Sequence, residues 1–261
     1  MDRNEAVLRE LNLYPQWVRR NPPAPEVFLA VRPEPVEGHV LVADVVRQAH
    51  HERPNEQSGL NNDHANLPVV APASQADNLG WPELKQQVRD CTACKLRAGC
   101  TQTVFGVGDE QADWLVVGEG PGADEDARGE PFVGEAGKLL DNMLLSIKLK
   151  RGKNVYIANI VKCHPPGNRT PEADEIAACL PYLQRQIELI KPKLIVALGK
   201  TAATALLGRD AALGSLRGTL HDYRGVPLLV TYHPAYLLRS PMEKAKAWQD
   251  LCFAVDAMQK L

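Results

Sequence analysis

Two sets of residues in this sequence have the types and spacing to do chemistry. The first is four cysteines: Cys91 and Cys94, separated by two residues, then Cys163 and, sixteen positions further on, Cys179. A lone CxxC can be a redox pair, half of a metal site or neither. Two more cysteines brought close by the fold favour a four-thiolate site. Four thiolates accept zinc or an iron–sulfur cluster, and spacing does not separate the two. Cys252, in an apolar helical stretch, reads as a core residue, and Cys100 as a bystander to the four.

The second set is the run Gly118-Glu119-Gly120-Pro121-Gly122-Ala123-Asp124-Glu125-Asp126, continuing to Gly129-Glu130-Pro131-Phe132-Val133-Gly134. Its glycines let the backbone come close to a ligand. A phosphate is a poor fit, because neither the dinucleotide fingerprint nor the P-loop lysine is present and the carboxylates would repel an anion. A loop that brings carboxylates to a neutral ring fits better. Within it, the carboxylates on offer for acid–base work are Glu119, Asp124, Glu125 and Asp126, of which Asp124 and Asp126 read as a solvated acidic loop.

The elements that must position these residues follow from periodicity. Residues 114–117, 155–161, 194–198 and 228–231 are short apolar or β-branched runs that predict four strands. Between and around them, residues 82–90, 137–149, 171–190, 199–207 and 243–259 predict helices, with Thr170 as the N-cap and Pro171 in the first turn of the longest. Alternating strands and helices imply a parallel sheet covered on both faces. The expected fold is therefore a three-layer α/β/α sandwich around a four-stranded parallel sheet.

The 261 residues suffice for one such domain, at 81–261, and an appendage. Residues 1–20 read as a short helix, with Val7, Leu8, Leu11 and Leu13 near a helical period. Residues 21–78 are rich in proline, asparagine, glutamine and serine, a composition that does not offset its ordering entropy; the expectation for 1–80 is a poorly ordered extension. Two phrases in it, residues 32–38 and 46–53, look like translated copies of an interspersed bacterial DNA repeat. With 30 basic and 32 acidic residues the formal charge is −2, which gives no argument for nucleic acid unless a local patch does. No run is long and apolar enough to span a bilayer, and the polar start lacks a signal-peptide core. A cytoplasmic protein with reduced thiols is expected.

Three motifs carry a resemblance: Gly118-Glu-Gly-Pro-Gly-Ala-Asp-Glu-Asp with Gly129-Glu-Pro-Phe-Val-Gly, then Tyr156-Ile-Ala-Asn-Ile-Val-Lys-Cys163, then His233-Pro-Ala-Tyr-Leu-Leu238. Their order, with the four cysteines in register, resembles the family 4 uracil-DNA glycosylases, the iron–sulfur members of their superfamily. The match begins near Cys91. It implies a [4Fe-4S] cluster on Cys91, Cys94, Cys163 and Cys179, and an enzyme that flips uracil out of single- or double-stranded DNA and hydrolyses its N-glycosidic bond, acting as a monomer. It further implies that Phe132 stacks on the base, that Asn159 reads its edge and that His233 donates to O2. Glu125, or next Glu119, positions water. Leu237 wedges into the vacated stack, and Arg239 and Lys244 hold phosphates. In the best-known branch of the superfamily an Asp stands where this chain has Gly120, so the carboxylate role must move. An Arg- and His-rich insertion found in a branch that bonds covalently to DNA is missing here, which favours hydrolysis. A non-catalytic iron–sulfur DNA-binding accessory, or a glycosylase for other deaminated bases, are the competing readings.

Overall fold

The computed structural model describes residues 78–261, and the readings made on residues 1–77 lie outside them. Three strands, β2 (Trp114–Gly118), β3 (Val155–Asn159) and β4 (Leu194–Leu198), are buried along their whole length. Such runs are what a parallel sheet covered on both faces requires. Alternate residues serve the two faces. Leu115, Val117, Ile195 and Ala197 pack with Leu183 and Ile187 of α4 (Ala173–Ile190) and Ala202 of α5 (Gly199–Leu207). Trp114, Val116, Leu194 and Val196 pack with Leu140 and Leu144 of α3 (Glu135–Ser146) and Ala254 of α8 (Lys244–Met258). The three layers expected from periodicity are present.

The sheet has six strands, not four, in the order β1-β3-β2-β4-β6-β5. The four expected strands, including β6 (Val226–Thr231), are its parallel centre, and short antiparallel strands β1 (Val107–Gly108) and β5 (Leu220–Tyr223) close the edges. β5 and β6 are joined by Arg224 and Gly225, both at positive φ (52° and 87°), the conformation of a tight two-residue hairpin turn.

Two other boundaries differ from expectation. The acidic run is not all loop: residues from Ala123 to Arg128 form helix α2, closed by Gly129 in the left-handed region at φ 79°. The long helix α4 starts at Ala173 rather than beside Thr170, because Glu175 reaches back to the Glu172 amide at 2.8 Å and is gripped by Arg169 at 2.6 and 2.8 Å. Helix α1 (Trp81–Arg89) and the short α6 (Leu213–Leu216) and α7 (Pro234–Arg239) complete the α-helices among the described residues. No described helix is long and apolar enough to cross a membrane.

Candidate active site

The parallel register pairs Gly118 with Asn159 at the carboxyl ends of β2 and β3. The chain leaves β2 toward β3 and leaves β4 toward β6, on the opposite side, so a crevice opens beyond β2 and β4, where open α/β sheets bind ligands. A pocket of about 570 Å³ lies there, lined by Glu119, Gly120, Glu125, Phe132, His233, Tyr236 and Arg239, among others.

Phe132 forms its wall. Its backbone is at φ 57°, a left-handed conformation costing a non-glycine residue on the order of 1–3 kcal/mol. Arg151, which also binds Asp141, holds it there by donating to the carbonyls of Pro131 and Phe132 at 2.8 and 2.7 Å. Two glycines leave the space. A Cβ on Gly137 would stand 1.8 Å from the Phe132 carbonyl oxygen, and one on Gly118 would stand 2.5 Å from both the Phe132 ring and Asn159 Oδ1. Reading the sequence missed Arg151 and the part played by Gly137, whereas Gly118 stands in the glycine-rich run already read as allowing a close approach. An isolated glycine at the head of a strongly helical pattern was the available signal for Gly137.

Asn159 is 1 % exposed, and its Oδ1 has no hydrogen-bond partner among the described residues. Its own carbonyl accepts from Lys162 Nζ at 2.9 Å, and that ammonium also reaches Gln186 Oε1 at 2.7 Å. Burial pushes Lys162 down to about 8, with Cys179 opposing.

His233 packs its ring 5.4 Å from that of Phe132 and caps α7, its Nδ1 accepting from the Ala235 amide at 3.2 Å. The cap fixes the tautomer: Nδ1 is an acceptor, so Nε2 carries the proton of the neutral ring. Burial, aided by Arg239 and opposed by Glu125, pushes the imidazole from 6.5 down to about 4. His233 therefore stays a neutral Nε2–H donor at physiological pH.

The carboxylates divide differently from expectation. Glu125 binds three backbone amides, those of Val133 (2.8 Å) and Gly134 (3.1 Å) through Oε1 and that of Gly122 (3.0 Å) through Oε2. It clamps the loop through both of its oxygens. Among the described residues the Glu119 carboxylate has one side-chain partner, accepting from the Thr201 hydroxyl. Asp126 is not solvated but buried: burial works to raise its pKa, yet the Thr101 and Gln102 amides hold its carboxyl below the usual range. Asp124 is exposed, as expected. At Gly120 a Cβ would approach Val161 Cγ2 to 2.8 Å, so an Asp there would require the Val161 side chain to shift.

Two assignments fail on burial. Leu237 is 1 % exposed, packed with Leu139, Met143 and Leu251, and cannot enter a duplex from there; its neighbour Leu238 is 42 % exposed. Lys244 is buried, so of the two phosphate candidates only Arg239 is exposed. Cys252 is half-buried rather than core.

Cys91, Cys94, Cys163 and Cys179 line one cavity beneath α1 and α4. The Cys179 sulfur accepts from the Lys162 amide at 3.2 Å, and the Cys91 sulfur from the Ala93 amide at 3.5 Å. Burial pushes the Cys179 thiol up to about 12 and that of Cys163 higher still, with neighbouring thiols adding to both. Cys100 lies beside Cys163 without lining the cavity, and its sulfur contacts Arg97. Among the described residues, no three metal-binding side chains are gathered tightly enough to hold an ion as they stand.

The sequence matches the profile of the Uracil DNA glycosylase superfamily over residues 105–252. The chain belongs to that superfamily. Within it, the chain is 43 % identical over 177 residues to the type-4 uracil-DNA glycosylase of Pyrobaculum aerophilum, covering 65 % of this chain and 90 % of that protein. It is 45 % identical over 159 residues to the type-4 uracil-DNA glycosylase of Thermotoga maritima, covering 60 % and 82 %. A type-5 uracil-DNA glycosylase of Thermus thermophilus is 34 % identical over 153 residues, covering 50 % and 68 %. The chain is thus a type-4 member of the superfamily, and the sandwich and its crevice are those of a uracil-DNA glycosylase.

Two outcomes follow from this geometry. Gly137→Ala should destabilise the protein by about 1–3 kcal/mol through overpacking, read as a lowered melting temperature. The His233 ring, followed by NMR, should titrate near pH 4. Because its folded pKa lies below the unfolded value, its contribution to stability is present above 6.5 and lost as pH falls through that window; a midpoint near 6.5 would contradict the buried, neutral ring.

Proposed function

We propose that a uracil flipped out of DNA fills this pocket, with its face on Phe132 and its edge on Asn159. The chain is a uracil-excising DNA-repair glycosylase by its family and its type-4 relatives. The observation that carries the pocket assignment is the orphaned Asn159 Oδ1. A buried acceptor without a donor costs about 1–3 kcal/mol. The N3–H of uracil would satisfy it, while the amide nitrogen donates to O4. Cytosine presents the reverse pattern and would leave both groups unpaired, the kind of mismatch that discriminates strongly.

Extruding a nucleotide costs a few kcal/mol, and less where the base is mispaired. Stacking on Phe132 returns about 1–3 kcal/mol. As the bond from C1′ to N1 breaks, its electron pair leaves with the base and negative charge grows on O2. His233 Nε2–H is the donor aimed at that charge, and a fixed donor in a dry site lowers the barrier. Water adds its oxygen to C1′, and Glu119, steadied by Thr201, takes the water's proton. Glu125 keeps the loop in place and acts on the reaction through it.

The four cysteines fit an iron–sulfur cluster: they share one cavity, two receive amide hydrogens, and Cys163 and Cys179 are buried where a bare thiolate is unfavourable and bound metal would neutralise it. Cys91, Cys94, Cys163 and Cys179 would hold a [4Fe-4S] cluster. When bound, it supplies iron–thiolate bonds that tie the segment after α1 to the sheet and α4. Uracil-containing DNA, single- or double-stranded, is the substrate of a cytoplasmic monomer in which residues 81–261 carry the activity.

An oligonucleotide with one uracil tests the reading, with alkali added after incubation. A strand cut only after alkali is expected, and binding without cleavage in any strand context would contradict it. Glu119→Gln should slow single-turnover cleavage with little change in melting temperature, whereas Glu125→Gln should lower the melting temperature as well. Elemental analysis should find iron that is lost in Cys179→Ser; zinc without iron would overturn the cluster assignment.

A further inference from the structure

Resting on the uracil reading above, we infer that Tyr236 is a stacking platform for the base next to the uracil on the same, unpaired strand. Tyr236 is 39 % exposed although its ring is already packed against another. It lies stacked on Tyr232, centroids 5.3 Å apart and planes within 15°. Tyr232 in turn carries the Arg217 guanidinium 4.3 Å from its centroid, and that guanidinium is tied to Asp250 at 2.7 Å and to the Lys246 carbonyl at 2.8 Å. The exposed ring is thus held rigid from behind, which keeps low the entropy cost of presenting it.

Its place decides the ligand. Tyr236 lines the base pocket and also a larger, mainly apolar groove of about 1050 Å³, floored by Ile176, Leu180 and Leu213. Glu119, His233 and Arg239 likewise border both cavities, so the groove continues the pocket rather than standing apart from it. Arg239, exposed and without an ion-pair partner among the described residues, supplies a positive charge between the two, where the phosphate linking two successive nucleotides would run. A flat aromatic face beside a cation is how proteins grip unpaired bases without reading their identity. In a duplex the neighbouring base stays stacked in its helix, so the subsite favours single strands.

The test is cleavage of a single-stranded oligonucleotide carrying one uracil, with the neighbour on the 5′ side, then on the 3′ side, replaced by a tetrahydrofuran abasic analogue. Loss of the neighbouring base on one side should lower kcat/KM of the wild-type enzyme about tenfold, the scale of one base–aromatic stack. Tyr236→Leu, which keeps the apolar bulk, should cleave the two substrates alike, and Tyr236→Phe should restore the difference. Equal wild-type rates with and without the neighbour, or a Tyr236→Leu enzyme still sensitive to it, would overturn the subsite while leaving uracil excision intact. Absence of uracil release from every oligonucleotide by the wild type would overturn the glycosylase reading, and the subsite with it.

Discussion

The site depends on one close approach. The parallel register sets Gly118 against Asn159, and the missing side chain at 118 is the space into which the Phe132 ring and the Asn159 amide both project. Any Cβ there would collide with both, so the ring and the amide can stand side by side only because residue 118 is glycine. The ring is then fixed by forces unrelated to base binding. Gly137 admits the Phe132 carbonyl, and Arg151 holds it in a conformation a phenylalanine would not choose. Strain of this kind persists only where the surroundings over-determine it.

Behind the pocket, polar groups form a buried chain. Lys162 binds the Asn159 carbonyl through its ammonium and Cys179 through its amide, and Gln186 links that ammonium to the Phe105 carbonyl. Such a network stiffens what it connects when its members are satisfied. Asn159 Oδ1, which lacks a partner among the described residues, lies beside Gly118 with the Phe132 ring. The same logic separates the acids. Glu125 and Asp126 accept from backbone amides and shape the loop, while the Glu119 carboxylate accepts from the Thr201 hydroxyl and borders the pocket.

Much of this was legible in the sequence. The four central strands announce themselves because both faces are buried and apolar composition is continuous; the edge strands do not. Val107–Gly108 is two residues long, and the hairpin of β5 turns on Arg224-Gly225, a weaker signal than Asn-Gly. Phe132, Asn159 and His233 converge because motifs at strand ends meet in one crevice. The misses share a cause: exposure is a tertiary property. Leu237 and Leu238 are equivalent in composition, yet a single step round α7 puts one in the core and the other outside. Asp126 and Lys244 look like solvent-facing charges until the neighbouring chain covers them. Glu125 looks like a base until its three amide partners are seen.

The most direct test of the central claim uses the free base as a product inhibitor of single-uracil cleavage. If Asn159 Oδ1 awaits the N3–H, uracil should inhibit and 1-methyluracil should bind wherever the sugar side is open. 3-Methyluracil, which lacks that donor and puts a methyl against the buried amide, should be at least about tenfold weaker than uracil, the scale of one lost hydrogen bond in a buried site. Equal inhibition by uracil and 3-methyluracil would contradict the assignment of Asn159 as the residue that reads the base.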